Sequence, residues 1–145
     1  MTRIDFYVLD QDGEQQQFRY ACRLAEKAWK AGHRIHILTA SPEASHTLDA
    51  LLWSFRPDAF VPHAISPAGK STPIHISHER TDVIHHSLLI NLQTQLPDHF
   101  SQFERLAEIV TNAPDALNQG RDKFRFYRDR GYEIHDHRIK LGSAT

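Results

Sequence analysis

The first 55 residues alternate between two hydrophobic periods, and this alternation constrains the fold more than any other feature. Ile4–Leu9 is a short apolar run rich in β-branched and aromatic residues, and the turn-forming segment Asp10–Gly13 ends it. From there to Gly32, apolar residues recur at helical spacing: Phe18, Ala21, Cys22, Ala25, Ala28 and Trp29. Arg34–Leu38 alternates as a strand, and Ser41–Glu43 opens a second helix. This order is typical of βαβ units with a mainly parallel sheet.

The rest of the chain continues the pattern. A last helix is predicted from Ala113 or Pro114 to Arg130, where Gly131 ends it. Val61–Pro73, with three prolines, is the longest loop-like stretch. Four further strands are predicted, at Ile74–Ser77, Ser87–Leu92, Ala107–Thr111 and Glu133–Arg138. We therefore predict an α/β protein: one three-layer Rossmann-like domain over residues 1–140, with helices flanking the sheet and a flexible tail at 141–145.

Composition limits the function classes. The chain has 145 residues, of which 40% are hydrophobic, enough for one domain with its own core. Its single cysteine, Cys22, excludes an internal disulfide and suits a reducing cytosol. No stretch approaches the roughly 18 apolar residues that span a bilayer, and the start lacks a signal-peptide core. With a net charge of −1, the chain is no polycation for coating DNA or membranes. We expect a soluble, cytoplasmic protein.

Gly69–Thr72 resembles the end of a phosphate-binding loop, but two features count against it. Ala64 stands where the first glycine of such a loop is needed, and the segment leads into a predicted strand instead of a helix. No dinucleotide-binding glycine pattern follows the first strand either. Asp10 and Asp12 are better placed for chemistry, at the end of that strand, although turn formation explains them too. A Rossmann-like nucleotide-binding protein or enzyme that uses these loops stays the alternative function.

Histidines and the cysteine give no stronger signal. His135 and His137 share one side of a predicted strand, and His78, His85 and His86 lie near one another in the sequence. Zinc sites usually need three or four ligands at matched spacing, so we interpret these as surface histidines. Cys22 lies on the apolar face of the first helix, where a buried, inert thiol is expected. We predict no catalytic residue, no metal site and no cofactor.

The segment Asn118–Arg130 differs electrostatically from the rest of the chain, because it carries five basic and two acidic residues. On a helix, Arg121, Arg125 and Arg128 form a single stripe with Phe124 beside it. Arginine forks bind carboxylates, and the aromatic ring offers an apolar slot, so the pattern suits an acidic peptide with a free terminal carboxylate. A solvated amphipathic helix and a weak nucleic-acid contact are the alternatives.

A second cluster lies in Leu51–His63, where Trp53, Phe55 and Phe60 fall at a helix end and in the loop beyond it. Exposed tryptophan and phenylalanine are typical anchors of protein interfaces. Packing beneath the loop is the other interpretation.

At these two segments the sequence resembles the chi subunit family of bacterial DNA polymerase III. The resemblance covers nearly the whole chain. Its motifs are Asp5-Phe6-Tyr7-Val8-Leu9, Ala28-Trp29-Lys30-Ala31-Gly32, Leu52-Trp53 with Phe60-Val61-Pro62-His63, and Arg121-x-Lys123-Phe124-Arg125-x-Tyr127-Arg128-x-x-Gly131-Tyr132.

The resemblance implies a non-catalytic accessory protein of the clamp loader, whose contact with DNA is indirect. Its implied partners are the psi subunit and the acidic, Pro-Phe-ending tail of single-stranded-DNA-binding protein. The residues implied for the tail are Val110, Arg121, Phe124, Arg125 and Arg128, and those implied for psi are Trp53 and Phe60. The family can carry a basic residue where Leu117 stands here.

Overall fold

The fold was obtained as a computed structural model, which describes residues 1–56, 61–65, 72–79, 86–97 and 99–141. These ranges contain seven strands and three α-helices. In chain order they are β1 (Arg3–Leu9), α1 (Glu14–Lys30), β2 (Ile35–Leu38), α2 (Pro42–Ser54), β3 (His63–Ile65), β4 (Ile74–Ser77), β5 (Leu88–Asn91), β6 (Arg105–Val110), α3 (Pro114–Asp129) and β7 (Glu133–Ile139). A 3-10 turn at Phe100–Gln102 lies between β5 and β6.

The seven described strands form one sheet in the order β3-β4-β2-β5-β6-β1-β7. Every neighbouring pair is parallel. The predicted three-layer α/β fold is confirmed. Because β1 lies between β6 and β7, the connection through α3 must cross β1, and this crossing creates the site described below.

Glycines end the first and last helices, as predicted. Gly32 has φ 94° and Gly131 has φ 79°, a region that residues with a Cβ rarely adopt. After α1, the N–H of His33 donates to Ala28 O at 3.0 Å and that of Gly32 donates to Trp29 O at 2.9 Å. These two bonds form a Schellman motif, which satisfies carbonyls that the helix end leaves free.

The sheet separates two hydrophobic clusters. Alternation along β1 sends Leu9 to one face and Ile4 and Phe6 to the other. Helices α1 and α2 cover the first face, where the cluster includes Phe18, Cys22, Ala25, Leu48, Leu52, Ile37, Ile76 and Ile90. Helix α3 and the β5–β6 connection cover the second face, where the cluster includes Phe100, Phe103, Leu106, Val110 and Tyr127. Two cores on opposite faces define the three layers.

One part of the loop prediction for Val61–Pro73 is wrong, because His63–Ile65 forms β3. This strand has only three residues, follows Pro62 and pairs on one side alone, with β4 at the sheet edge. Such a short edge strand shows no alternation of its own, so only its pairing with β4 reveals it. Residues 66–71 lie outside the described residues.

The predicted tail begins at Leu141, whose N–H donates to Asp10 Oδ1 at 3.0 Å. Residues 142–145 lie outside the described part of the chain, so the flexible tail stays a prediction. Among the described residues, no helix is both long and apolar enough to cross a membrane.

Candidate functional site

A surface pocket of about 270 Å³ opens between α3 and the strands that it crosses. The helix forms one wall, and β1, β6 and β7 form the floor. We call it the α3 pocket; its lining residues are Phe6, Val8, Val110, Leu117, Gly120, Arg121, Phe124, Asp136 and Arg138. It brings together three of the five residues assigned to the acidic tail, namely Val110, Arg121 and Phe124.

The apolar part of the α3 pocket depends on a close approach of helix and sheet. A Cβ atom at Gly120 would lie 3.3 Å from Val110 Cγ1, so a larger residue there would crowd the contact. Glycine within a helix costs about 1 kcal/mol relative to alanine. This position is thus occupied by a poor helix former where space is tight. Beside it, the rings of Phe124 and Phe6 pack with centroids 5.6 Å apart.

The arginine stripe runs along the exposed side of α3. Arg121 lines the α3 pocket, and its Nη1 donates to Asn118 Oδ1 at 3.0 Å. Arg125 pairs with Asp122 and Arg128 pairs with Asp129, outside the pocket lining. All of these side chains are exposed. Such exposed pairs are weak, typically below about 1 kcal/mol, so an incoming anion can displace the aspartates.

Two charged residues of the pocket were not predicted from the sequence. Arg138 and Asp136 on β7 line its floor, and Arg138 Nε lies 3.4 Å from Asp136 Oδ2. Alternation indicates that they share a face of β7. It does not show that this face is the one beneath α3, because that depends on the strand order.

Lys123 is one of the five basic residues of the segment Asn118–Arg130, but its side chain is buried. Its Nζ donates to Glu108 Oε1 at 3.0 Å and to the carbonyl of Gln93 at 2.9 Å. Glu108 also accepts from the Tyr127 hydroxyl at 2.7 Å and from Asn91 Nδ2 at 3.1 Å. The charge of Lys123 is therefore neutralised inside the protein and is not available to a ligand.

This buried network joins α3 to β5 and β6. Burial, and then the neighbouring Glu108 carboxylate, raise the pKa of Tyr127 well above its usual value, so its hydroxyl remains a donor. Because Lys123 and Tyr127 are four residues apart on α3, the network fixes the rotation of the helix about its axis. That rotation turns Arg121 and Phe124 toward the pocket.

A second ionic cluster ties β7 to the sheet on the opposite face. Buried Asp5 accepts from His137 Nε2 and Arg105 Nη2, each at 2.9 Å, and from Arg3 Nη2 at 3.2 Å. Burial acts to raise the pKa of Asp5, but the bonds from His137 and Arg105 outweigh it and hold this pKa below its usual value. The cluster fixes β7, whose other face carries Asp136 and Arg138.

The surface assigned to psi is described only in part. Trp53 is 53% exposed, and its ring centroid lies 4.6 Å from that of His63. Phe60 lies outside the described residues. A large aromatic side chain of which half remains exposed is available to a partner.

Of the residues of the alternative nucleotide site, the three that the structure describes, Asp10, Asp12 and Thr72, are not brought together. Asp10 and Asp12 follow the carboxyl end of β1, whereas Thr72 precedes β4 at the opposite edge of the parallel sheet. Asp10 serves the loop structure, because its carbonyl accepts from Asn112 Nδ2 at 2.8 Å. Asp12 and Glu14 line a crevice of about 300 Å³ at the carboxyl edge, and their charges disfavour a phosphate there. Gly69, Lys70 and Ser71 lie outside the described residues.

Two of the candidate metal ligands, His135 and His137, have carboxylate partners. His135 pairs with Glu133, and His137 with Asp5. In the part of the chain that the structure describes, no group of three His, Cys, Asp or Glu side chains is placed to hold a metal ion. His85 lies outside that part. Cys22 is fully buried, as predicted, and burial raises the pKa of its thiol to about 12.

Fold and site together define a parallel α/β domain with an open surface pocket that is lined by apolar side chains, two arginines and an aspartate. Comparison with known proteins gives the particular family. The family model described as "DNA polymerase III chi subunit, HolC" matches residues 1–135, so the chain belongs to the DNA polymerase III chi subunit family.

Curated relatives agree along nearly the full length. The DNA polymerase III subunit chi of Pseudomonas aeruginosa is 40% identical over 139 residues, which cover 96% of this chain and 98% of the relative. That of Haemophilus influenzae is 30% identical, covering 89% and 92%, and that of Escherichia coli is 25% identical, covering 92% and 96%. The crystal structure of T4 UvsW matches 97% of this chain and 42% of its own with a TM-score of 0.73. At 8% identity, that match shows the fold alone.

Proposed function

We propose that the chain is a non-catalytic accessory subunit of DNA polymerase III that acts in the bacterial cytoplasm. In this proposal it bridges the acidic C-terminal tail of single-stranded-DNA-binding protein to the clamp loader through psi. The observation that carries the proposal is the α3 pocket, which combines apolar side chains with two arginines from separate elements. Membership of the chi family supplies the replication context.

The chemistry of the α3 pocket fits the end of such a tail. The rings of Phe6 and Phe124 offer an apolar surface for a terminal phenylalanine. The guanidinium of Arg121 at the rim is placed for a carboxylate, which arginine binds bidentately. Arg125 and Arg128, outside the lining, would attract the preceding acidic residues, accelerate encounter and form charge-assisted hydrogen bonds with their carboxylates.

Leu117 occupies the place where the family can carry a basic residue, so one cation is absent from α3. Arg138, reaching the pocket from β7, would replace its charge. Asp136 limits this replacement, because its carboxylate pairs with Arg138 and opposes an incoming anion. We therefore propose that the terminal carboxylate and phenylalanine contribute more to binding than the acidic stretch before them.

A titration of labelled peptides tests the function directly. A peptide with an acidic stretch and a C-terminal Pro-Phe is expected to bind, and full-length single-stranded-DNA-binding protein should co-purify with the chain. Removing the terminal phenylalanine should weaken binding by at least tenfold, because the pocket then loses its apolar ligand and the terminal carboxylate moves one residue back, onto the proline. Arg128→Ala should weaken binding about tenfold, since a charge-assisted hydrogen bond contributes about 1.5–3 kcal/mol.

Two results would contradict the proposal. One is equal affinity for the complete and the shortened peptide; the other is equal co-purification of full-length and tail-truncated single-stranded-DNA-binding protein. A scrambled peptide of the same charge controls for general attraction to the arginines, which added salt should weaken in any case.

We propose that psi contacts the surface around Trp53. Trp53→Ala is expected to abolish co-purification of psi and to leave the melting temperature nearly unchanged, because half of the side chain is already exposed. Leu52→Ala, at the fully buried neighbouring position, is the structural control and should lower the melting temperature. Normal psi binding by a folded Trp53→Ala chain would place psi elsewhere.

A further inference from the structure

Helix α1 carries a row of four cations on the side of the sheet opposite the α3 pocket. Arg19, Arg23, Lys27 and Lys30 follow one another at i, i+4, i+8 and i+11. At 100° and 1.5 Å per residue, they span an arc of about 80° and a length of about 16 Å. Arg23, Lys27 and Lys30 are exposed and Arg19 is half-buried, so the row faces solvent. We call this surface the α1 basic face.

The charges of the α1 basic face are largely uncompensated. Three of its four cations, all but Lys30, form no ion pair with another described residue. Lys30 Nζ lies 3.7 Å from Glu26, which is shared with Arg56. The stripe on α3 differs, because Arg125 and Arg128 each have an aspartate partner. The α1 basic face therefore carries more positive charge without an ion-pair partner among the described residues than the arginine stripe on α3 does.

Aromatic rings adjoin this row. A surface cavity of about 380 Å³ beside it is lined by Tyr7, Tyr20, Arg23, Lys27, Phe55 and Arg56, among others. Its volume falls within the range of small-molecule sites. The rings of Tyr7 and Tyr20 lie 5.5 Å apart, and both residues are half-buried, as is Phe55. Aromatic side chains thus lie directly beside the α1 basic face.

We propose that the α1 basic face binds single-stranded nucleic acid, with the cations on the phosphates and bases against the aromatic wall. A cationic groove with stacking rings is the general design of sequence-tolerant single-strand sites. A polypeptide of acidic residues alone would match the charge but leave the rings unused, and a duplex keeps its bases stacked within itself. A single strand uses both features.

This inference does not rest on the proposed function, because it concerns different residues on the opposite face of the sheet. It adds a direct contact to the indirect one that the family resemblance implies. The two faces are separated by the sheet, so both can be occupied at once. A strand held at α1 would then lie on the same subunit as a tail held at α3.

Fluorescence anisotropy with a labelled oligothymidylate tests the inference. Binding should be measurable near 20 mM salt. The logarithm of the association constant should fall linearly with the logarithm of the salt concentration, with a slope of about −3 if four phosphates are contacted. Arg23→Glu/Lys27→Glu should weaken binding at least tenfold. Arg125→Glu/Arg128→Glu makes the same charge change on α3 and should leave the affinity for the oligonucleotide within threefold of that of the unchanged chain. The α1 variant should keep the circular dichroism spectrum and the melting temperature of the unchanged chain, which shows that it is folded.

Three outcomes would overturn the inference. The first is absence of binding at about 20 mM salt, where phosphate contacts are strongest. The second is an equal loss in the α1 and α3 variants, which would reveal general charge attraction. The third is displacement of the oligonucleotide by polyglutamate of matched charge at equal concentration, which would assign the face to an acidic polypeptide.

Discussion

Replacing Lys123 with methionine is expected to lower the free energy of unfolding by about 3–5 kcal/mol, the usual cost of removing one partner of a buried ion pair. Lys123 Nζ lies 3.0 Å from Glu108 Oε1, and the side chains are 9% and 1% exposed. Methionine matches the length of the lysine stem, so the loss would come from the unpaired carboxylate. Urea unfolding at neutral pH measures it.

Two control variants separate charge from packing. Lys27→Met removes an exposed lysine and should change stability by less than about 0.5 kcal/mol. Lys123→Met/Glu108→Gln leaves no charge in the network, and the glutamine carbonyl can still accept from Tyr127, so most of the loss should be recovered. A loss below about 1 kcal/mol in Lys123→Met alone would mean that water reaches Glu108 and that the network does not fix α3.

The buried role of Lys123 could have been predicted in part. Lys123 precedes the aromatic residue Tyr127 by four residues, which places both on one side of α3. Glu108 lies inside a predicted strand, where a carboxylate needs a partner. Neither signal identifies the other residue, because the contact requires α3 to lie over β6. A count of charges along the segment therefore overestimates its positive surface.

Local signals predicted the elements well, because those elements depend on neighbouring residues. Ser41, for example, caps α2 by accepting from the Ala44 N–H at 3.1 Å, and Pro42 occupies the first turn. The same local reasoning missed β3, since a three-residue strand is defined by its partner β4.

The floor of the α3 pocket was beyond local reasoning. Asp136 and Arg138 reach it only because β7 pairs with β1 on the side away from β6. That strand order follows from a crossover connection, and the sequence pattern alone leaves several orders possible. Arg121, Phe124 and Val110 of the pocket lining were thus named from spacing and resemblance, whereas Asp136 and Arg138 depend on the sheet order.

Reversing the charge at Arg121 is expected to weaken binding of the Pro-Phe peptide by at least about 100-fold. Arg121 is the stripe arginine that lines the pocket. Loss of its charge-assisted bond accounts for about 1.5–3 kcal/mol, or roughly 10–150-fold. A glutamate would add repulsion of the terminal carboxylate and of the acidic stretch. Because the residue is exposed on the helix surface, Arg121→Glu should keep the fold, which circular dichroism checks.

Arg130→Glu is the matched control. It makes the same charge change at the C-terminal end of α3. There the guanidinium carbon lies 3.5 Å from the centroid of the Phe126 ring, and Arg130 does not line the α3 pocket. If only general attraction between peptide and protein acts, the affinity should fall equally in both variants. If Arg121 clamps the carboxylate, the affinity of Arg130→Glu should stay within about threefold of that of the unchanged chain, which is the residual effect of a screened charge.

Amidating the peptide C-terminus gives a second test of the clamp. It should weaken binding to the unchanged chain and make little further difference to Arg121→Glu, because the clamp is already lost. Full additivity of the two changes would show that Arg121 does not contact the carboxylate, and the clamp would then have to be assigned to Arg138 on β7.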